Sequence, residues 1–237
     1  MKSICILIVL CFLSSCANFP KEYKEPAEFY VSENILYYKG RITDFMVLKA
    51  LELANKNEQK ITALHIDSGG GDARSGIVFG NWVHDNGITV VIENKCFSSC
   101  ANYILTAAPK VHVLKGAIVG WHGGAFQETW IVGMRWYEYL IPNRKASKEA
   151  YYSSGREPWK EEETTFFEKV GVDQRITTYG QISKLNCQNS TGASGWNYSL
   201  IDLKKLGVAN LIIDDGELAL RTDDIKTTAC RVTLGDI

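Results

Sequence analysis

Ile61-Thr62-Ala63-Leu64-His65-Ile66-Asp67-Ser68-Gly69-Gly70-Gly71-Asp72 is the stretch whose reading decides the fold. Ile61 to Ile66 reads as a strand, and the three glycines end it, because glycine permits the tight turns and positive φ that close a strand. Gly76 to His84 then suits a helix. The same alternation continues on both sides. Upstream, Asn34 to Tyr38 reads as a strand ahead of Phe45 to Ala54, whose apolar residues fall at helical spacing. Downstream, the buried β-branched strand Thr89 to Ile92 precedes a small-residue helix, Ser99 to Ala108. Val111 to Leu114 and Ala117 to Trp121 are short strands, and Thr129 to Gly180 reads as helices broken near Pro142 and Pro158. Gln181 to Ser194 reads as loop, Leu200 to Leu206 as a short helix and Ala209 to Ile213 as a late strand. Strands and helices in alternation predict an α/β fold, a layered, mostly parallel sheet flanked by helices.

The 237 residues are 46% hydrophobic and 22% charged with a formal net charge of −1, which gives no field to attract polyanions, so nucleic acid is not an expected partner. The densest charge cluster, Lys160-Glu161-Glu162-Glu163, reads as the solvated start of a helix. At the N-terminus, Met1-Lys2 precedes an apolar run, Ile4 to Leu13, too short to span a bilayer as a mature helix. That run ends in Leu13-Ser14-Ser15-Cys16, which resembles the lipobox of bacterial lipoprotein signal peptides. The resemblance implies that residues 1–15 are a signal peptide and that lipid at Cys16 anchors the chain. Ala17 beside it goes with sorting to the outer membrane, facing the periplasm. An ordinary secretory signal with a chance cysteine is the alternative. Residues 16–28, with Pro20, Pro26 and alternating Lys and Glu, read as a solvated tether. One domain is then expected over 29–213, followed by a C-terminal extension, 214–237.

Of the 7 cysteines, Cys5 and Cys11 leave with the signal and Cys16 takes lipid. Cys96, Cys100, Cys187 and Cys230 allow three pairings in an oxidising compartment. Cys96 with Cys100 is favoured because neighbours one helical turn apart lie within bridging distance, which leaves Cys187 with Cys230.

Three segments carry candidate chemistry. Stabilising a tetrahedral intermediate needs N–H groups fixed in advance with no side chain in the way, and the triple glycine offers them. A tight strand-to-helix turn is the plain alternative, and a phosphate-cradling loop fits less well because no lysine follows at the required spacing. Ser99, just before Cys100-Ala101-Asn102, can occupy a first helical turn with its hydroxyl exposed toward the glycine loop, or can simply cap that helix, as can Ser98. His122, in Gly120-Trp121-His122-Gly123-Gly124, follows a buried-looking strand and lies where a general base has room for substrate, or is structural. Their joint occurrence in this order favours acyl transfer. His65 and Asp67 would share a strand face, but Asp72 and His84 show no recognisable ligand spacing, so no metal is expected, and no cofactor.

These segments resemble the proteolytic subunit of the Clp protease, within the Clp–crotonase superfamily that also contains signal peptide peptidase A. Ile66-Asp67-Ser68-Gly69-Gly70-Gly71 looks like that group's strand and Ser-Pro-Gly-Gly loop, and Ser99 to Ala108 is similar to its nucleophile helix. Ser199 to Ala209 looks like its late helix-Gly-strand element. The resemblance implies a Clp/crotonase-like fold and a serine peptidase, with Ser99 as nucleophile and His122 as general base. Gly71 and Cys100 would supply the oxyanion-hole amides. It departs at the third member. Where the family carries an aspartate, this chain reads Thr191-Gly192-Ala193-Ser194-Gly195-Trp196, so Asp173 is the nearest candidate, weighed against a turn or cap role. A non-catalytic binding or assembly module in the envelope is the alternative function, and ester or thioester hydrolysis on the same scaffold a third. Trp121, Trp130, Trp136, Tyr137 and Tyr139 make the region after His122 aromatic, for packing or for holding an extended peptide substrate. The resemblance also implies self-assembly into a homo-oligomer.

Overall fold

The computed structural model describes residues 27–127, 134, 136–182, 184–208, 210–221 and 227–235. The signal peptide, Cys16, most of the tether and Trp130 lie outside the described residues.

The main sheet has seven strands. β1 (Glu28–Ser32) and β2 (Ile35–Lys39) form an antiparallel hairpin. α1 (Asp44–Lys56) follows, its start capped by Thr43, whose side chain accepts from the Met46 N–H. β3 (Ala63–Ser68), α2 (Ala73–Asn86) and β4 (Thr89–Phe97) complete the strand-helix-strand unit read from the glycine stretch. Leu64, Ile66 and Ser68 are buried while His65 and Asp67 are half-exposed, the period-two pattern of a sheet covered more fully on one face. β5 (Lys110–Val113) and β6 (Ile118–Gly120) come next. From β2 onward every pairing in this sheet is parallel, in the order β1-β2-β3-β4-β5, with β6 beside β4. The α/β class, with a mostly parallel sheet flanked by helices, is therefore observed.

β4 is longer than its β-branched run. The strand expected over Thr89 to Ile92 continues through Glu93-Asn94-Lys95 to Phe97, with Glu93 and Asn94 exposed. Its first half pairs with β5 and its second half with β6. That second pairing places Phe97 opposite Gly120 and so sets the spacing of the candidate site.

α3 (Arg144–Ser154) and α4 (Arg156–Val170) follow, and the break expected near Pro158 falls at Gly155, three residues before it. Pro158 lies in the first turn of α4, where its missing N–H is one that no helix pairs. α5 (Gln188–Thr191) is a single turn in the stretch read as loop. β7 (Gly195–Tyr198), α6 (Leu200–Lys205), β8 (Leu211–Ile213) and β9 (Ala229–Val232) complete the elements. β8 extends the main sheet beyond β5, while β7 and β9 pair in a small parallel sheet. The segment after 213, expected as an extension, thus supplies a strand to the domain. Trp121 and Trp196 exchange backbone hydrogen bonds of 2.8 Å each way, tying the small sheet to the end of β6. Both indoles are fully buried, and Trp121 meets Tyr198 edge to face at 5.2 Å.

Both favoured cysteine pairings are present. Cys187–Cys230 ties α5 to β9. Cys96–Cys100 does not run along a helix, as the one-turn spacing would have it. Cys96 lies in β4, so the bridge spans the strand-to-helix turn with Cα atoms 5.2 Å apart.

Candidate functional site

Three parallel strands deliver the candidate residues at their C-terminal ends, where open α/β sheets place ligands. β3, β4 and β6 lie side by side, with Ser68 opposite Cys96 and Phe97 opposite Gly120. The glycine loop follows β3, Ser98 and Ser99 follow β4, and His122 follows β6 by two residues.

Each loop is fixed locally. Ser68 is fully buried, and its Oγ donates to the Gly40 carbonyl at 2.7 Å while accepting from the Gly70 N–H at 3.1 Å. Gly70 (φ +86°) packs so closely on the next turn that a Cβ there would stand 2.7 Å from the Ser98 Cβ and 2.9 Å from the Ser99 nitrogen. Ser98 itself has φ +59°, an uncommon conformation for a non-glycine residue and one that marks strained turns at functional sites. It is held by its own N–H to the Gly120 carbonyl at 3.0 Å and by its carbonyl to the Asn102 N–H at 2.8 Å.

The Gly71 N–H donates to Ser99 Oγ at 2.8 Å, across 28 positions of sequence. Ser99 stands at the start of a π-helix, Cys100–Leu105, every residue of which is buried. No side-chain cap bond is made there, so the capping role weighed for Ser99 is not the one its hydroxyl performs. The Cys100 N–H, at the helix start, belongs to the group of amides that no helix pairs. The expectation of an exposed hydroxyl is not met. Ser99 is 3% exposed, because the glycine loop lies on it from one side and Gly76 of α2 from another, a Cβ at Gly76 standing 3.0 Å from the Ser99 Cβ.

His122 is solvent-exposed on one side and crowded by protein on the other, its ring 6.1 Å from that of Phe97. That desolvation lowers its pKa below the usual 6.5, and a hydrogen bond to its own backbone offsets part of the effect. Neutral imidazole, the form a general base needs, is favoured. Among the described residues no side chain hydrogen-bonds the ring, that of Ser99 included. The loop carrying it is nevertheless held at three points. Gln181 Nε2 donates to the His122 carbonyl at 3.4 Å, Asn102 Nδ2 to the Gly123 carbonyl at 2.8 Å, and the Ala125 N–H donates to Glu163 at 3.1 Å.

Asp173 does not join the imidazole. It caps a 3₁₀ turn by accepting from the Arg175 N–H, and its carboxylate takes the Arg175 guanidinium at 2.6 to 3.1 Å. Partial burial raises its pKa, and the Arg175 hydrogen bonds outweigh that and leave it below the usual carboxylate value. The cap role is the one observed.

Glu163 is the residue sequence reasoning missed. It belongs to the charge run read as solvated, yet it is fully buried on α4. Its neighbours in the run, Glu161 and Glu162, are exposed. Glu163 Oε1 accepts from Tyr103 Oη at 2.8 Å, and Oε2 accepts from the Ala125 N–H and from Gln174 Nε2, both at 3.1 Å. Burial pushes its pKa up, against the hydrogen bonds from Tyr103, Gln174 and Ala125. The signal lies in phase. Trp159, Phe166, Phe167 and Val170 form a stripe on α4, and position 163 falls within it.

No protein-family model and no curated protein matches the sequence. Among solved structures, the chain is similar to an enoyl-CoA hydratase from Mycobacterium avium subsp. paratuberculosis K-10, at 12% identity over 40% of this chain and 50% of that one, TM-score 0.31. It is similar to a methylmalonyl CoA decarboxylase in complex with 2S-carboxypropyl CoA, at 6% identity over 40% of this chain and 48% of that one, TM-score 0.31. An enoyl-CoA hydratase/isomerase from Xanthobacter autotrophicus Py2 matches at 8% identity over 40% of this chain and 48% of that one, TM-score 0.32. The chain spans about half the length of the solved structures it matches.

Proposed function

We propose that this chain is a serine hydrolase, acting on peptides or proteins of the cell envelope through an acyl-enzyme formed at Ser99. The observation that carries the reading is the 2.8 Å hydrogen bond from the Gly71 amide to Ser99 Oγ, at a buried helix start beside the end of the strand that precedes His122. Ser99 Oγ attacks the carbonyl carbon and its proton passes to the neutral His122 imidazole. The resulting oxyanion takes the Gly71 amide over from Oγ and shares it with the Cys100 amide. His122 returns the proton to the leaving nitrogen as the C–N bond breaks, and water repeats the sequence on the acyl-serine. Because Ser99 is closed to solvent at rest, substrate entry requires the glycine loop to move off it. Among the described residues no carboxylate bonds the imidazole, so the reading is of a Ser-His dyad. Two disulfides support an oxidising compartment, in keeping with a lipid anchor at Cys16 in the outer membrane facing the periplasm.

One observation favours a second reading. A serine that is 3% exposed and hydrogen-bonded to the Gly71 amide is also what a binding module would use merely to lock its loop. A fluorophosphonate probe separates the two. Labelling that is lost in Ser99→Ala, reduced in His122→Ala and kept in Ser98→Ala is expected of the hydrolase. A folded protein that no version of the experiment labels is the module.

A further inference from the structure

We infer that Glu163 is the positioning residue of the site, clamping the loop that carries His122 to the helix that carries Ser99. The inference rests on the serine hydrolase reading. The two carboxylate oxygens reach in different directions. Oε1 takes the hydroxyl of Tyr103, which sits in the π-helix, and Oε2 takes the amide of Ala125, three residues after His122. One side chain therefore ties together the two elements whose relative placement decides whether alcohol and imidazole meet.

The surroundings are built for this contact. Gly124 admits it, since a Cβ there would stand 2.9 Å from Glu163 Oε1 and 2.7 Å from the Thr177 Cβ. Trp159 Nε1 donates to the Tyr103 hydroxyl at 3.0 Å, which orients that hydroxyl's own proton toward the carboxylate. Gln174 Nε2 fills a further acceptor site on Oε2. The Ala125 N–H can only donate, so an amide that turned its N–H₂ toward Ala125 would set two donors against each other, and one that turned it toward Tyr103 would reverse that hydroxyl's bond. The other two holds on the loop, from Gln181 and Asn102, are single bonds to backbone carbonyls. A buried charge with no cation bonded to it is expensive to keep, and core packing alone would be served better by an apolar side chain. Holding two elements at a fixed separation is a function that repays that cost.

The test joins two readouts on the purified protein. Amide exchange at Ala125, followed by NMR, reports the clamp. Fluorophosphonate labelling of Ser99, resolved into a maximal rate and a half-saturating probe concentration, reports the chemistry. In Glu163→Gln, Ala125 exchange should accelerate and the maximal labelling rate should fall roughly 100-fold, the effect of misplacing a reacting group by about 1 Å, with the half-saturating concentration unchanged. Tyr103→Phe, which removes the arm to the π-helix together with the acceptor of Trp159 Nε1 and leaves the Ala125 bond in place, should lower the maximal rate by a smaller factor. If Glu163→Gln fails to fold, Tyr103→Phe decides alone, and an unaltered maximal rate there overturns the inference. Wild-type labelling matched by Glu163→Gln overturns the positioning role while leaving the hydrolase standing. A wild type that never labels overturns the hydrolase and the positioning role together, and Ala125 exchange unchanged by Glu163→Gln overturns the clamp as well.

Discussion

Gly71→Ala keeps the amide on which the proposed chemistry depends and changes only where that amide can sit. A Cβ at Gly71 would run into the Ile42 backbone, with the Ile42 carbonyl carbon 2.9 Å away and its nitrogen 3.0 Å away. Neither atom is free to yield. Ile42 N–H donates to the Gly70 carbonyl at 3.0 Å, and its own carbonyl accepts from the Asp72 N–H at 2.9 Å. The loop must therefore shift, at an overpacking cost of about 1–3 kcal/mol, with a further ~1 kcal/mol if the bond to Ser99 Oγ is lost. For a chain of this size the melting temperature should drop roughly 5–15 °C. A displacement of about 1 Å in an oxyanion donor should lower the labelling rate roughly 100-fold. Gly69→Ala is the matched control, because a Cβ there meets only Lys95 Cε at 3.8 Å. Differential scanning fluorimetry and timed fluorophosphonate labelling of both variants give the comparison. If Gly71→Ala melts and labels like Gly69→Ala, the glycine loop is not packed as described and does not serve the nucleophile.

Desolvation of His122 places its pKa below 6.5, so the labelling rate should rise with pH and reach half its plateau below pH 6.5. A midpoint at or above pH 7 contradicts that environment. Asp173→Asn should leave labelling within about twofold while keeping the cap and removing an exposed ion pair worth up to about 1 kcal/mol, since its carboxylate serves Arg175; a loss of roughly 100-fold would restore it as the third catalytic group. Removing Cys187–Cys230, whose cysteines are 43 positions apart, should cost about 4 kcal/mol by chain entropy, against about 2 kcal/mol for Cys96–Cys100 at a separation of 4. Labelling should show the reverse order, because only Cys96–Cys100 brackets Ser99. Glu163 is raised above 4.5 chiefly by burial, so its contribution to stability is full below pH 4.5 and is lost as pH rises through its folded value. The unfolding free energy of the wild type relative to Glu163→Gln should show that decline as pH rises from about 4.

The elements legible in the sequence are those whose signal is local. A buried strand, a glycine turn and a helical stripe mark β3 and α2, and both stand where those signals put them. β7 and β9 are not legible because neither carries an autonomous pattern. Gly195–Tyr198 is buried at every position, so no alternation appears, and its partner lies at Ala229–Val232, where only tertiary contact reveals a strand. β1 is hidden for a different reason. Its sequence, Glu28-Phe29-Tyr30-Val31-Ser32, adjoins a charged, proline-bearing stretch that reads as tether, and it is ordered as a strand by pairing with β2.

At the candidate site, spacing along the chain names the groups and does not give their state. Ser99, Gly71 and Cys100 are legible because glycines after a strand and a serine before small residues imply where amides and a hydroxyl will be. That the hydroxyl rests on the Gly71 amide, rather than open to solvent, follows from the close approach of Gly70, Gly71 and Gly76 to their neighbours, which no single segment encodes. The same amide cannot hold Oγ and an oxyanion at once, so the resting contact sets an order of events: the loop releases the nucleophile as the substrate carbonyl claims the donor. Glu163 illustrates the opposite error. Its charge suggests water, while its phase on α4, four residues after Trp159 and three before Phe166, places it in the core. A carboxylate inside an apolar stripe is held there by the donors it meets, and here those donors belong to the histidine loop and the nucleophile helix. The proposed Ser-His pair depends on what holds its two halves at the right distance, and two side chains span that gap among the described residues: Asn102, which reaches from the nucleophile helix to the Gly123 carbonyl, and Glu163, which stands outside both elements and bonds each.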